Sequence, residues 1–168
     1  RWMADRDDLK DAIHQAYTGE AKAALRLKFY ADIADREGYP QIARLFRVVS
    51  MSEEIHGQRA LRLLQELKST EANLQASFES ETKVAGVAYS NFIKLAQEAG
   101  DRAAEVFFTQ SRDVEELHAK LYKEALANML EERETTYYVC EVCGYVSDGV
   151  LPDGCPVCGA PKDRFFRY

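Results

Sequence analysis

Glu53-Glu54-Ile55-His56 and Glu115-Glu116-Leu117-His118 are two copies of one tetrapeptide pattern, and they decide the fold. In each, a carboxylate and an imidazole stand three residues apart, on one helix face and about one turn along it. The flanking apolar residues show which face that is. Around the first copy the seam runs Ile42, Phe46, Val49, Glu53, His56, Ala60, Leu63, Leu67; around the second, Ala104, Phe108, Ser111, Glu115, His118, Tyr122, Ala125, Met129. Glu and His thus take positions where a bundle would bury leucine. Buried carboxylates need compensation, and a pair of metal ions is the leading source of it. A core of satisfied polar residues is the competing reading, and six convergent positions weigh against it.

The two copies lie 62 residues apart, with Gly38 aligning with Gly100 and Phe46 with Phe108. Each is preceded by one more inward carboxylate. Glu20 lies on the seam Ile13, Ala16, Glu20, Ala23, Leu27, Tyr30, and Glu81 on Leu74, Phe78, Glu81, Val84, Ala88, Leu95. The pattern is a duplicated helical hairpin in which each half supplies two Glu and one His. Glu from two helices and Glu-x-x-His from two others is the ligand set of ferritin-like di-metal carboxylate proteins. Helices are expected over 7–37, with Asp7 or Asp8 as N-cap, then over 40–68, 71–98 and from about 101 to 131. With short connections they predict an all-α antiparallel four-helix bundle. His14 is expected to be exposed; Glu54 and Glu116, each one residue off the ligand face, are expected to be solvated or to support the ligands rather than to bind an ion.

After Glu131–Thr136, the candidate linker, the composition changes. Cys140-Glu141-Val142-Cys143-Gly144 and Cys155-Pro156-Val157-Cys158-Gly159 are two Cys-x-x-Cys knuckles, with 11 residues between Cys143 and Cys155. Such spacing lets four thiolates meet one ion, and a tail of about 32 residues is too short to build a core without such a staple. Zinc and iron both suit four thiolates, so the spacing leaves the metal open. The pairs Tyr137-Tyr138 and Phe165-Phe166 are expected to form the mini-core around it. The domains are therefore read as 1–134, the bundle, and 135–168, a small metal-stapled loop/β unit.

The whole chain sets the outer limits. Its 168 residues suffice for one good core and a small appendage, and 30% charged with 46% hydrophobic residues is ordinary for a globular protein. A net charge of −6 argues against a general nucleic-acid binder. No apolar run reaches the length of a membrane span, and no signal peptide is apparent. All four cysteines fall in the knuckles, a usage that suits a reducing cytoplasm. Arg1 and Trp2 precede Met3, either as an added remnant or as part of a longer native start.

These stretches, with Thr18-Gly19-Glu20 and Asn73-Leu74 to Glu81, resemble the rubrerythrins along essentially the whole chain. Cys143-Gly144-Tyr145 and Cys155-Pro156-Val157-Cys158-Gly159 are closer to rubredoxin than to a generic zinc ribbon. The resemblance implies a ferritin-like di-iron bundle followed by a rubredoxin-like domain with one iron on Cys140, Cys143, Cys155 and Cys158. It implies Glu53 and Glu115 as bridging ligands, Glu20 and Glu81 as terminal ones, His118 as a nitrogen ligand to one iron and His56 to the other. It also implies hydrogen peroxide as substrate, an upstream reductase or rubredoxin as electron donor, and Tyr89 or His56 as a hydrogen-bond or proton donor. A head-to-tail homodimer would set one subunit's thiolate-bound iron against the other's di-iron site.

Two positions depart from the family pattern. The further Glu expected three residues after Glu81 is Val84, and Leu27 stands where a tyrosine is expected. Four carboxylates balance two divalent cations, so the reduced site is neutral without a moving ligand. That set is closer to bacterioferritin and other di-iron oxidases, which makes a ferroxidase or oxidase using O2 the alternative activity. A non-catalytic electron carrier or a zinc-stapled binding protein is the alternative from another class.

Overall fold

The structure is a computed structural model that describes residues 6–131 and 134–168. Arg1, Trp2 and two residues of the expected linker, Glu132 and Arg133, lie outside the described residues. The chain divides into two compact units, Arg1–Lys68 and Ser69–Tyr168.

The first unit is an antiparallel helical hairpin, α1 (Arg6–Arg36) and α2 (Pro40–Leu63). Asp7 and Asp8 fall in the first turn of α1, where their charges suit the positive end of the helix dipole. Gly38, at φ +82°, makes the turn, and Pro40 starts α2 at a position that needs no backbone N–H. The helices meet through small residues. Ala24, Ala31, Ala34, Ala43, Ser50, Gly57 and Ala60 are buried, and the Ser50 hydroxyl donates to the Ala24 carbonyl at 2.8 Å. Arg47 pairs with Asp35 at 2.6 Å near the turn. The seam expected to be buried along α2 is only partly so: Phe46 and Val49 are half-buried, but Ile42, Leu63 and Leu67 are exposed. α2 also ends five residues before the expected 68. Leu64 and Gln65 close it, Gln65 in the left-handed region at φ +58°. Ser69, just past the expected end of α2, caps the next helix, its hydroxyl accepting from the Ala72 amide at 3.3 Å.

In the second unit, the expected third helix is interrupted. α3 (Thr70–Lys83) passes into a π-helical turn at Val84–Ala88 and continues as α4 (Tyr89–Ala99). The Tyr89 amide bonds to the Val84 carbonyl five residues back, one more than an α-helix allows. The extra residue rotates everything that follows. Leu95, expected on the inward seam, is 60% exposed, while Ala96 beside it is buried. α5 (Arg102–Ala127) runs back against α3 and α4, capped by the Asp101 carboxylate on the Ala104 amide at 3.0 Å, and ends four residues short of 131.

The cysteine segment folds as a three-stranded antiparallel sheet in the order β2-β1-β3, with β1 Tyr137–Cys140, β2 Val146–Asp148 and β3 Phe165–Arg167. Cys140, Cys155 and Ala160 form its buried core, packed by Tyr145, Val157 and Phe165. Only one aromatic of the Phe165-Phe166 pair contributes, because neighbouring strand residues face opposite ways: Phe166 is exposed. Tyr137 is likewise exposed and Tyr138 half-buried, and neither packs on the buried cysteines.

Candidate metal centres

Within the first unit, Glu20 on α1 and Glu53 and His56 on α2 bring one donor atom each to within 4.8 Å of one another. His56 Nδ1 lies 3.2 Å from Glu53 Oε2 and 3.7 Å from Glu20 Oε2. Gly57 is buried where the helices meet, and a Cβ on it would make an ordinary contact with the Tyr17 ring at 3.8 Å. The two carboxyls hydrogen-bond to each other. That bond raises the pKa of Glu20 and lowers that of Glu53, so the pair shares a proton that a cation would displace.

The second unit repeats the group. Glu81 on α3 and Glu115 and His118 on α5 also converge to within 4.8 Å, with His118 Nδ1 3.0 Å from Glu115 Oε2. This triad is the more enclosed. The His118 side chain is 26% exposed against 48% for His56. Burial, and then the shared proton with Glu115, push Glu81 up to about 7. A carboxyl held up to about 7 beside a second carboxylate and an imidazole makes a donor set that suits a divalent cation.

The four cysteines form the third group. Cys140 and Cys158 bring their sulfurs to 3.7 Å, and Cys143 and Cys155 to 3.6 Å. An ion with metal–sulfur bonds of about 2.3 Å in a tetrahedron sets its sulfurs about 3.8 Å apart, so the cradle fits. The two knuckles have matching backbones. The Gly144 amide bonds to the Cys140 carbonyl and the Gly159 amide to the Cys155 carbonyl, both at 2.9 Å, with the glycines at φ +80° and +74°. Burial pushes the Cys143 thiol up, whereas at Cys155 the amides of Cys158 and Val157 outweigh burial and hold the thiol below its ordinary range. Those amides stabilise a thiolate, which is the ligand form.

Tyr89 starts α4 and packs in an aromatic cluster with Phe92 and Phe108, at centroid distances of 5.9 and 6.3 Å. Val84 is half-buried at the opening of the π-turn. Glu54 pairs with Lys28 at 2.5 Å on the outer face, and Glu116 is exposed, as expected. His14 is half-buried rather than exposed, 3.5 Å from Glu66.

One contact has no counterpart in the sequence pattern. His118 Nε2 lies 3.4 Å from the carbonyl oxygen of Gly144, the residue after Cys143. Beside it, the space a Gly144 Cβ would fill is 4.0 Å from Val114 of α5. The cysteine unit therefore touches a triad within one chain, although the linker gave no reason to expect it. The two residues are 26 apart, and no local periodicity connects them.

The chain is similar to known proteins along nearly all of its length. The family model for rubrerythrin matches residues 11–126, and that for the rubrerythrin rubredoxin-like domain matches residues 138–166. Nigerythrin of Nitratidesulfovibrio vulgaris is 31% identical over 176 residues, covering 96% of this chain and 85% of that protein. Rubrerythrin-2 of Clostridium acetobutylicum is 29% identical over 175 residues, covering 94% and 95%. Among solved structures, mixed-valence nigerythrin superposes with a TM-score of 0.59 at 30% identity, covering 95% of this chain and 86% of that one. The helical fold with its small four-cysteine sheet is thus the expected one, and its donor groups fit the family's di-iron carboxylate site and four-cysteine site. The chain belongs to the rubrerythrin family of non-haem di-iron oxidoreductases with a rubredoxin-like domain.

Proposed function

We propose that the protein reduces hydrogen peroxide to water, with residues 1–134 acting as the iron-binding helical domain and 135–168 as its electron-transfer domain. Iron held by the triads would supply the two electrons of H2O2 + 2e⁻ + 2H⁺ → 2H2O, and iron held by the four cysteines would supply their replacement. Glu20, Glu53, His56, Glu81, Glu115 and His118 are the iron ligands in this proposal, and Cys140, Cys143, Cys155 and Cys158 hold the single iron. The observation that carries it is the presence, in one chain, of two carboxylate–imidazole triads and a four-thiolate cradle that touches one of them. A purely structural zinc staple would need no such contact.

The chain's own groups suit the proton demand. Glu81, pushed up to about 7 in the metal-free protein, would release its proton as a cation binds. Tyr89 is assigned as a hydrogen-bond donor from the family resemblance. The electrons come from an upstream reductase or rubredoxin, the assembly is a homodimer, and the location is the cytoplasm. No helix among the described residues is long and apolar enough to cross a membrane.

Val84 favours a second reading, an oxidase or ferroxidase using O2. An aliphatic side chain stands one turn after Glu81 where a seventh ligand would be. One anaerobic experiment separates the two. The iron-loaded, fully reduced protein is mixed with hydrogen peroxide or with O2 while the ferric-thiolate colour is followed. Fast return with peroxide and slow return with O2 supports peroxide reduction; the reverse order establishes the oxidase. Glu20→Ala and Glu115→Ala should lose iron and turnover together, and peroxide turnover retained in either would exclude the assigned site.

A further inference from the structure

Neither unit builds the interior that its sequence calls for. The α1–α2 hairpin buries only alanines, Ser50 and Gly57, and α3 buries no residue at all. Among the described residues no leucine, isoleucine, phenylalanine or methionine is buried, although these are the usual interior of a globular protein. A helical hairpin has to cover its apolar stripe with another layer. On α1 and α2 that stripe lies open at Tyr30, Ile42 and Leu63, the last 71% exposed. In the second unit the seam borders an apolar cavity of about 540 Å³ lined by Leu74, His118, Tyr122 and Ala125, among others. Each half thus carries three metal donors on an apolar face that wants a second hairpin.

The connection between the halves decides which copy supplies it. Ferritin-like folds join their two hairpins by one long crossover, so that α2 and α3 run in the same direction along the bundle. His56 stands seven residues before the end of α2, about 10 Å of helix, and Glu81 eleven residues after the start of α3, about 16 Å. To bring both triads to one level, a chain closing on itself has to return about 26 Å along the bundle and cross about 8–10 Å sideways. Only Leu64–Ser69 is available for that passage. Fully extended, the seven Cα steps from Leu63 to Thr70 reach at most about 25 Å. They are not extended either. The Gln65 amide bonds to the Arg62 carbonyl at 3.1 Å and the Glu66 amide to the Leu61 carbonyl at 3.0 Å, which folds half of the connection back onto α2.

We propose that two copies of the chain exchange hairpins. Glu20, Glu53 and His56 of one copy and Glu81, Glu115 and His118 of the other then face a single two-metal site, and the α1–α2 seam of each copy covers the α3–α5 seam of the other. A twofold dimer made in this way holds two identical sites, closes both apolar faces and lets the connection stay short. The exchange rests on the reading above in which the two triads serve one iron pair, and the origin of that pair in two chains is what it adds.

Two experiments on the full-length protein test it, with zinc confined to the four-cysteine sites and Mn²⁺ added as the probe. One variant carries Glu20→Ala, Glu53→Ala and His56→Ala; the other carries Glu81→Ala, Glu115→Ala and His118→Ala. Neither alone can hold a spin-coupled manganese pair. After the two are unfolded together and refolded, exchange gives every mixed dimer one complete site and one without donors. The coupled signal in electron paramagnetic resonance should return at about a quarter of the wild-type intensity, since about half of the dimers are mixed and one of their two sites is whole. A mixture as silent as either variant, beside a wild-type protein that shows the signal, overturns the exchange in favour of closure within one chain or pairing of like hairpins. A wild-type protein without any coupled signal refutes the shared two-metal site instead, and the exchange falls with it. Sedimentation of the wild-type protein depends on no variant: exchange requires a dimer, and a monomer with its full helix signal overturns it.

Discussion

Replacing Gly144 by alanine isolates one term of the knuckle's energetics. Gly144 sits at φ +80°, where a Cβ crowds the following carbonyl and costs about 1–2 kcal/mol. The added methyl itself meets only Val114 Cγ1, at 4.0 Å, an ordinary contact that adds no clash. Gly159 is the control: it has φ +74° and nothing within 4 Å of its Cβ position. Both substitutions should therefore cost the same backbone term. In a small unit whose folding is coupled to its metal, that cost appears as lost metal affinity, so about 1–2 kcal/mol becomes roughly a 5- to 30-fold weaker zinc complex. Competition against a chromophoric chelator measures this in the zinc-loaded proteins. Equal losses for Gly144→Ala and Gly159→Ala are expected. A Gly144→Ala protein weakened ten times more than Gly159→Ala would show that α5 presses on the knuckle more tightly than a 4.0 Å contact allows. No loss in either would refute the strain argument.

Other perturbations test other layers of the molecule. Ser50→Ala removes the buried hydroxyl that joins α2 to the Ala24 carbonyl of α1 and should cost about 1 kcal/mol in chemical denaturation, because that carbonyl retains its place in the α1 ladder. Glu81 has a folded pKa near 7, raised above the ordinary carboxyl value of 4.5. Its contribution to the metal-free protein is therefore complete below about pH 4.5 and is lost as the pH rises through about 7. Thermal unfolding of metal-free protein should show that loss between pH 5 and 8, and Glu81→Gln should remove its share of the slope. Since a cation competes with the same proton, divalent metal should bind more tightly as the pH rises over that window, with proton release detectable by calorimetry in buffers of different ionisation enthalpy. Stripping the metals should unfold residues 137–168 while the far-ultraviolet helix signal largely remains; amide protection persisting in the metal-free knuckles would contradict the staple.

What the sequence disclosed depends on how far apart the interacting residues are. The Glu-x-x-His pairs, the inward Glu20 and Glu81, and both Cys-x-x-Cys knuckles are legible because helical period and knuckle spacing are local, and the structure converges those residues as three groups. The end of α2 was misplaced because Gln65 enters the left-handed region, which glycine and asparagine signal and glutamine does not. The inward phase after Glu81 was misplaced for a related reason. A 3.6-residue period was carried through Val84–Ala88, where the backbone makes a π-turn and gains one residue, so the count slips from Ala96 to Leu95. Neither error reaches the carboxylate and imidazole donors: Glu20, Glu53 and His56 precede Gln65, Glu81 lies on α3 ahead of the π-turn, and Glu115 and His118 lie on α5.

The contact between His118 and Gly144 is illegible for a different reason. It joins a side chain chosen for its metal chemistry to a backbone carbonyl, and a carbonyl leaves no mark on residue type. Glycine at 144 is already accounted for by the knuckle's positive φ, so its identity carries no second message. The same residue nonetheless meets two donor groups, closing a turn around one and setting its carbonyl 3.4 Å from the imidazole of another. A test of a glycine in such a place must therefore separate backbone strain from the contact its carbonyl makes. Gly159→Ala, with the same strain and no histidine beside it, makes that comparison: alanine at 144 keeps the carbonyl that His118 meets, so metal affinity should fall equally in both variants.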